Sequence, residues 1–289
     1  MEKKEKKNIS ALTKPYPDIA FNVQHRLENI VKLLAKNLYK KNKLQNLCLA
    51  GGVAMNCKMN GELSKEKYIK NIFVQPAASD NGVSLGAAQI LSLKKGVKLN
   101  TNLQNVYYGP KYSNSEILGY LKESKVNYLK LKNIYKDTAK LIYENKIIGW
   151  FQGRMEYGAR SLGNRSIIAS PFFKDMRDKI NMNVKHRENW RPFCPSVLDE
   201  DYNRYIDSKI KSHFMTIALP INKKIKDKIP SCVHVDNTVR VQMVDKKNNY
   251  KYWKLIKEFK KLSGHGIIIN TSFNIQGEPV VCSPRDALR

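Results

Sequence analysis

The chain has 289 residues, of which 42% are hydrophobic and 27% charged, and its formal net charge is +27 at pH 7. This hydrophobic content excludes wholesale disorder, and the length suits one large domain or two of ordinary size. No apolar run approaches the roughly 18 residues that span a bilayer, and the N-terminal MEKKEKKNIS has no apolar signal-peptide core, so we expect a cytoplasmic protein.

The positive charge comes mostly from lysines scattered along the chain among asparagines. We interpret it as compositional bias on solvated faces, with nucleic-acid binding as the alternative. The arginines differ, because they concentrate within 154–191. The five cysteines include no CxxC pair and have no histidine at ligand spacing, so we expect reduced thiols rather than a metal or redox site.

The first part of the chain alternates between helix and strand patterns. Residues 1–17 predict a charged and polar tail, and residues 18–41 have apolar side chains at helical spacing. LCLAGG (47–52) predicts a buried strand that ends in a Gly-Gly turn, after which 53–63 can start a helix. NIFVQP (71–76) predicts a second strand, followed by a turn and a small-residue helix that ends near Gly96. This order predicts an α/β unit over 18–100.

Residues 101–130 lack clear periodicity and are predicted to link two units. A second pattern over 131–289 predicts a mixed α+β unit. It contains a helix at 137–145, the strand IIGWF, a Gly/Arg-rich stretch, a helix around 174–184, and strands near 214–219, 239–244 and 266–270.

Two glycine-rich turns follow the strands of the first unit, in LAGGVAMN and SDNGVSLGAA. Backbone N–H groups in such turns can converge on a phosphate at a helix N-terminus. Gly51 and Gly52 are therefore candidates for nucleotide binding, although a tight turn without ligand is the alternative for either motif alone. Asp80 could hold a divalent metal through hard oxygen atoms, or it could cap the following helix.

The stretch GWFQGRMEYGARSLGNRS (149–166) places arginines beside glycines. A guanidinium group stays charged and makes bidentate contacts with phosphate, and glycine allows the backbone to approach a substrate closely. We predict a cavity for a polyanionic substrate. It combines basic residues of this part of the chain with polar residues at the C-terminal end of the strand predicted near 266–270. The basic residues are Arg154, Arg160, Arg165, Lys185, Arg187 and Arg191, and the polar ones are Asn270, Thr271, Ser272 and Asn274. A solvated basic loop and an ordinary polar turn are the alternative.

Six stretches resemble, in order and spacing, the O-carbamoyltransferases of the nodulation-protein and cephamycin-biosynthesis type. They are LCLAGGVAMNCKMNGEL, IFVQPAASDNGVSLGAA, IIGWFQGRMEYGARSLGNRSIIASP, NMNVKHRENWRPFCPSV, CVHVDNTVRVQMVD and NTSFNIQGEPVVCSP. The resemblance implies a partial actin/hexokinase-like (ASKHA) lobe over 18–100 and a YrdC-like domain over 131–289. It implies that the second domain makes carbamoyl adenylate from carbamoyl phosphate and ATP, and that the first helps transfer the carbamoyl group to a hydroxyl.

The resemblance also implies roles for particular residues. It assigns catalysis to Arg160, Arg165, Lys185 and Arg187. Binding of carbamoyl phosphate, the ATP phosphates and the adenylate is assigned to Arg154, Ser166, Arg191, Asn270, Ser272 and Asn274. In the first unit it assigns nucleotide binding to Gly51, Gly52 and Asn56, and metal binding to Asp80. The implied cofactors are Mg²⁺ with ATP, and Fe²⁺ or a similar divalent metal in a complete transfer domain. The implied acceptor is a sugar or natural product.

The chain departs from the family pattern in two ways. Family members usually have GPRALG and GDxG where this chain has GARSLG and SDNG, so Ala159, Ser161 and Ser79 are substitutions inside motifs. Family members also carry a few hundred residues before the LAGG motif, including metal-binding histidines, and continue past a segment like 284–289. His25 is isolated and is interpreted as a surface residue. We therefore expect a fragment, a split-gene product or one subunit, with a separate chain supplying the missing lobe. An RNA-binding module and an inactive remnant are the alternatives.

Overall fold

The computed structural model describes residues 13–99 and 103–289. The first unit contains α1 (Tyr16–Asn42), β1 (Asn46–Leu49), α2 (Cys57–Leu63), β2 (Asn71–Val74) and α3 (Val83–Lys94). The two strands pair in parallel, with Asn46 opposite Asn71 and Leu49 opposite Val74. The predicted order of helices and strands is confirmed. Residues 1–12 of the predicted tail lie outside the described residues, and α1 begins at Tyr16, inside the predicted tail.

The predicted linker contains a helix, α4 (Asn114–Glu123). Its N-terminus is stabilised by a capping box, in which the Ser113 hydroxyl accepts from the Glu116 N–H and the Glu116 carboxylate accepts from the Ser113 N–H. The S-x-x-E signature of this cap is present in the sequence, but the helix was not predicted because the segment lacks clear periodicity. That 101–130 links two units stays a prediction. Residues 101 and 102 of the predicted linker, and residue 100 at the end of the predicted first unit, lie outside the described residues.

The second unit is built on a five-stranded sheet. Its elements are α5 (Ile134–Tyr143), β3 (Ile148–Phe151), β4 (Arg165–Ala169), α6 (Met176–Ile180), β5 (Cys194–Leu198), α7 (Tyr202–Tyr205), β6 (Leu219–Pro220), β7 (Thr238–Val239), β8 (Gln242–Val244), α8 (Tyr250–Ser263), β9 (Ile267–Ser272) and α9 (Pro284–Leu288). The order is β3-β4-β9-β5-β8, antiparallel except for the parallel β5–β8 pair, and β6 and β7 form a separate antiparallel pair. The chain is therefore mixed α/β, as predicted.

Alternating side chains of β9 build a core on both faces of this sheet. Ile268 packs with α5 and α8, including Ile142 and Phe259, whereas Ile267 packs on the opposite face. That opposite core continues into the first unit through Ala54, Val74 and Ala78. A strand buried on both faces loses the polar alternation that would reveal it, which explains why β4 and β5 were not predicted.

The strand predicted near 214–219 is reduced to Leu219–Pro220. The preceding backbone bonds to α2 instead, because the Ala218 N–H donates to the Cys57 carbonyl at 2.9 Å and Asn60 Nδ2 donates to the Thr216 carbonyl at 2.8 Å. These contacts join the two units directly. Within the described ranges, none of the helices is both long and apolar enough to cross a membrane.

Candidate anion-binding site

A cavity of about 380 Å³ lies where the second unit meets α2. Among the described residues, its wall contains four arginines, Arg160, Arg187, Arg191 and Arg240, and no aspartate or glutamate. Polar groups of the wall include Ser161, His234, Asn270, Thr271 and Ser272. The volume falls within the range of small-ligand sites, and the charge of the wall is suited to an anion.

Most of this positive charge is not neutralised by the protein. Among the described residues, Arg160, Arg187 and Arg240 form no ion pair, whereas Arg191 pairs with Glu188 at 2.9 Å at the rim. Burial lowers the pKa of Arg160, and repulsion from Arg240 lowers it further. Burial likewise lowers the pKa of Arg187, with Arg191 adding to the effect. Guanidinium groups still remain charged at neutral pH, so the unpaired charges favour a bound anion.

Glu156 organises the loop that carries Arg160 into the cavity. Its Oε1 accepts from the N–H groups of Leu162 at 2.6 Å, Asn164 at 2.8 Å and Arg165 at 3.3 Å. Burial raises the pKa of this carboxyl despite these three bonds. Gly158, with φ +107°, packs so closely against the Pro76 carbonyl that a Cβ would lie 2.9 Å from its oxygen. Glycine at this position therefore lets the loop lie against the first unit.

The Lys185 side chain crosslinks the end of β9 and the turn that follows it through hydrogen bonds. Its Nζ donates to the Ser272 and Asn274 carbonyls and, at 3.2 and 2.8 Å, to the side-chain oxygens of the same two residues. Burial lowers the pKa of Lys185 to about 7, and the charge of Arg187 adds to this effect. Ser272 lines the cavity, while Lys185 and Asn274 lie behind it and hold it in place.

Cys57, Cys194, His234 and Arg240 also line the cavity, although the sequence analysis gave them no role there. Arg240 Nε donates to Cys194 Sγ at 3.1 Å, and Cys57 reaches the same guanidinium from α2. His234 Nδ1 lies 3.0 Å from Thr238 Oγ1, and burial lowers the pKa of its imidazole. The stretch CVHVDNTVRVQMVD, which contains His234 and Arg240, was available as a signal, but nothing in it indicated which side chains face a cavity.

Besides Lys185 and Asn274, three more residues predicted to contact the substrate do not line the cavity. Arg165 is fully buried, and its guanidinium donates to four backbone carbonyls, those of Gln152, Gly153, Asn164 and Pro110, and stacks 3.7 Å from the Phe151 ring. Arg154 is exposed and donates to the Gly109 carbonyl at 3.1 Å. The Ser166 hydroxyl is buried and accepts from the Gly163 N–H at 3.0 Å. The expected single cavity therefore contains only part of the predicted set.

The glycine-rich turns of the first unit lie next to each other, because a Cβ on Gly52 would lie 3.9 Å from Ser79 Oγ. Gly51 has φ +91°, which favours glycine. Asn56 caps α2 by accepting from the Met59 N–H at 3.0 Å, and its amide donates to Gln24 at 2.8 Å. This nucleotide-binding assignment stays a prediction.

Asp80 is exposed, in a short 3₁₀ turn (Asp80–Gly82), and it does not sit in a ligand cluster. In the parts of the chain that the structure describes, no group of three or more His, Cys, Asp or Glu side chains could hold a metal. The single carboxylate of Asp80 does not make an iron site, so the described residues do not fit the divalent metal that the resemblance implies.

Two family models match the sequence. The one described as the carbamoyltransferase C-terminus matches residues 139–289, more than half of the chain, and the one described as the carbamoyltransferase N-terminus matches residues 2–89. The chain belongs to the carbamoyltransferase family. The resemblance stated from the sequence motifs is thereby confirmed.

Curated relatives match almost the whole chain. An uncharacterized protein of Synechocystis is 38% identical over 97% of this chain and 50% of its own length. Nodulation protein NolO of Bradyrhizobium diazoefficiens is 38% identical over 96% of this chain and 52% of its own. Nodulation protein NolNO of Sinorhizobium fredii is 38% identical over 96% of this chain and 42% of its own length. The chain thus spans about half the length of the curated relatives it matches.

Solved structures give weaker matches. P. abyssi Sua5 is 16% identical over 53% of this chain, and HypF in its phosphate- and nucleotide-bound form is 13% identical over 77%. Both have a TM-score of 0.36, which is too low to carry an argument about the fold.

Proposed function

We propose that the second unit makes carbamoyl adenylate from carbamoyl phosphate and ATP, for transfer to a hydroxyl group of a sugar or natural product. The observation that carries this proposal is the cavity with four arginines and no carboxylate in its wall. Both substrates are phosphate compounds that need such positive charge, and membership of the carbamoyltransferase family indicates which acyl phosphate is used. Mg²⁺ would accompany ATP, as it does in most ATP-dependent enzymes.

The proposed reaction balances with one water molecule. Water cleaves carbamoyl phosphate to carbamate and phosphate, and one proton is released. A carbamate oxygen then attacks the α-phosphorus of ATP, the bond from that phosphorus to the bridging oxygen breaks, and pyrophosphate leaves. Charge develops on the phosphate oxygens during the attack, and fixed guanidinium groups stabilise it without reorganising. Arg160, Arg187 and Arg240 would do this inside the cavity, with Arg191 at the rim and Ser272 held by Lys185.

We further propose that residues 131–289 have the YrdC-like architecture and residues 18–100 are part of an actin/hexokinase-like transfer domain. The rest of that domain would come from a segment corresponding to the unmatched half of the relatives, in the same or a separate chain. The apolar surface of α1 and α3 supports this, because large side chains on both helices are exposed. These are Ile19, Phe21, Val23, Ile30, Leu33, Leu34, Leu38, Val83, Ile90, Leu91 and Leu93.

The proposed chemistry is tested by isotope exchange. The protein should transfer label from pyrophosphate into ATP only when carbamoyl phosphate is present. Arg160→Ala should lower the rate by about 10²–10³-fold, the usual effect of removing one donor that stabilises developing charge. Arg177→Ala, which removes a surface arginine on α6, serves as the matched control and should leave the rate unchanged. Folded protein without exchange, or with steep salt-dependent tRNA binding and no nucleotide binding, would contradict the proposal.

A further inference from the structure

Two buried polar atoms in the cavity wall have no hydrogen-bond partner within the described part of the protein. They are Asn270 Oδ1 and Ser161 Oγ. The two residues are neighbours, because Asn270 Nδ2 donates to the Ser161 carbonyl at 3.3 Å. A buried polar atom without a partner destabilises the folded state, so such a pair in a ligand cavity indicates that the ligand supplies the missing partner.

The surrounding network fixes which end of the Asn270 amide is available. Nδ2 donates to Ser196 Oγ and to Gln242 Oε1, both at 3.0 Å, and the Ser196 hydroxyl donates to the same Gln242 oxygen at 2.7 Å. Nδ2 therefore has its partners inside the protein, and the carbonyl oxygen is left without one. A carbonyl oxygen only accepts hydrogen bonds, so its partner must be an N–H or O–H donor.

This requirement differs from that of the arginines in the same wall. Guanidinium groups only donate, and ionised phosphate oxygens only accept, so a phosphate satisfies the arginines but leaves the Asn270 oxygen unpaired. The ligand must therefore carry an anionic group and a donor close together. Carbamoyl phosphate has both, because its NH₂ group is attached to the carbon that bears the phosphate.

We propose that Asn270 Oδ1 accepts an N–H group of the carbamoyl amide, and so selects carbamoyl phosphate over other acyl phosphates. Ser161 Oγ, at a position where the family motif usually has alanine, is a second acceptor particular to this chain. This inference rests on the proposed function, since it assumes that the cavity binds carbamoyl phosphate. It adds the two atoms that recognise the carbamoyl group rather than the phosphate.

Acetyl phosphate is the appropriate probe, because it has a methyl group in place of NH₂ and a similar size and charge. The measurement is kcat/KM for ATP-dependent phosphate release from each acyl phosphate. Wild-type protein should prefer carbamoyl phosphate by about 100-fold or more, since a site built to bind a donor rejects an analogue that lacks it. Ser161→Ala removes a hydroxyl with no partner in the protein, so it should keep the fold and lower that ratio about tenfold.

Asn270→Leu should lower the ratio further, by reducing the rate with carbamoyl phosphate while the acetyl phosphate rate stays constant. Ser115→Ala is the matched control: it removes the hydroxyl of an exposed serine in α4 that does not line the cavity, and it should leave the ratio unchanged. Equal losses for both substrates, or an unchanged ratio in Ser161→Ala and Asn270→Leu, would overturn the inference. If Ser161→Ala and Asn270→Leu raised only the KM for ATP, the two atoms would bind the adenine amino group, and this result would also overturn the inference. Wild-type protein that uses neither acyl phosphate would instead contradict the proposed function itself.

Discussion

Arg160 and Arg165 lie five residues apart in one glycine-rich segment, but their guanidinium groups have different surroundings. Arg160 lines the cavity without an ion-pair partner among the described residues. Arg165 is fully buried, and its guanidinium crosslinks the backbone of Gln152 just after β3, of Asn164 just before β4 and of Pro110. The first arrangement can bind an anion. The second donates to the Gln152 carbonyl and gives the Asn164 and Pro110 carbonyls a second donor, in addition to a backbone N–H.

Arg165→Ala should therefore act on stability, and Arg160→Ala on activity. Removing the Arg165 side chain takes away its hydrogen bonds to four backbone carbonyls and leaves a void beside Phe151, and should lower the free energy of unfolding by about 2–4 kcal/mol. Arg160→Ala relieves repulsion with Arg240 and should leave that free energy unchanged or higher. Urea unfolding of both variants measures the difference. An Arg165→Ala protein as stable as wild type would contradict the structural role.

Lys185 should make stability depend on pH above neutrality. Its pKa is about 7 in the folded protein and has the ordinary value of 10.5 when unfolded. Between these values the unfolded chain binds more protons, so the contribution of this residue to the free energy of unfolding rises with pH. Below pH 7 both states are protonated, and the contribution is constant. Urea unfolding at pH 7, 8 and 9 should show a steeper rise in wild type than in Lys185→Gln. Parallel pH profiles would contradict the lowered pKa.

At the scale of elements, local patterns predicted β1, β2 and the helices of the first unit because apolar periodicity and flanking glycines were both present. They did not show that Arg165 and Ser166 belong to β4, because a strand buried on both faces has no alternation to detect. The cavity was predicted only in part. Arg240 joins Arg160 through packing between distant parts of the chain, which local spacing does not encode.

Contact between α2 and the 216–218 segment fixes how the two units meet, and Gly61 is the residue that permits it. A Cβ on Gly61 would clash with the Ala218 carbonyl, so Gly61→Ala should lower the free energy of unfolding by about 3 kcal/mol. It should also lower activity, because Cys57 on α2 lines the cavity. Gly119→Ala in α4 is the control: open space surrounds it, and it should stabilise by about 0.5–1 kcal/mol. Equal stability of the two variants would contradict this packing.

At the scale of the whole molecule, the two units differ in how completely they bury their apolar residues. The five-stranded sheet has cores on both faces. In contrast, no residue of α3 is buried, and β1 and β2 form only a two-stranded parallel sheet. Apolar helices and parallel sheets are normally covered on their faces. These exposed apolar residues of the first unit are the surface that the proposed remainder of the transfer domain would cover.

The half of NolO outside the matched region provides a probe for that surface. Expressed separately, it should form a one-to-one complex with this chain, because it would cover α1 and α3. The double variant Ile90→Glu and Leu93→Glu should weaken the complex at least tenfold, since each glutamate places a charge in the apolar contact. Leu129→Glu changes an exposed leucine outside the first unit and should have no effect. Light scattering after size-exclusion chromatography distinguishes the complex from a dimer of this chain. A dimer that Ile90→Glu and Leu93→Glu disrupt would show that a second copy covers the face instead, and two folded halves that do not associate would contradict the proposed partner.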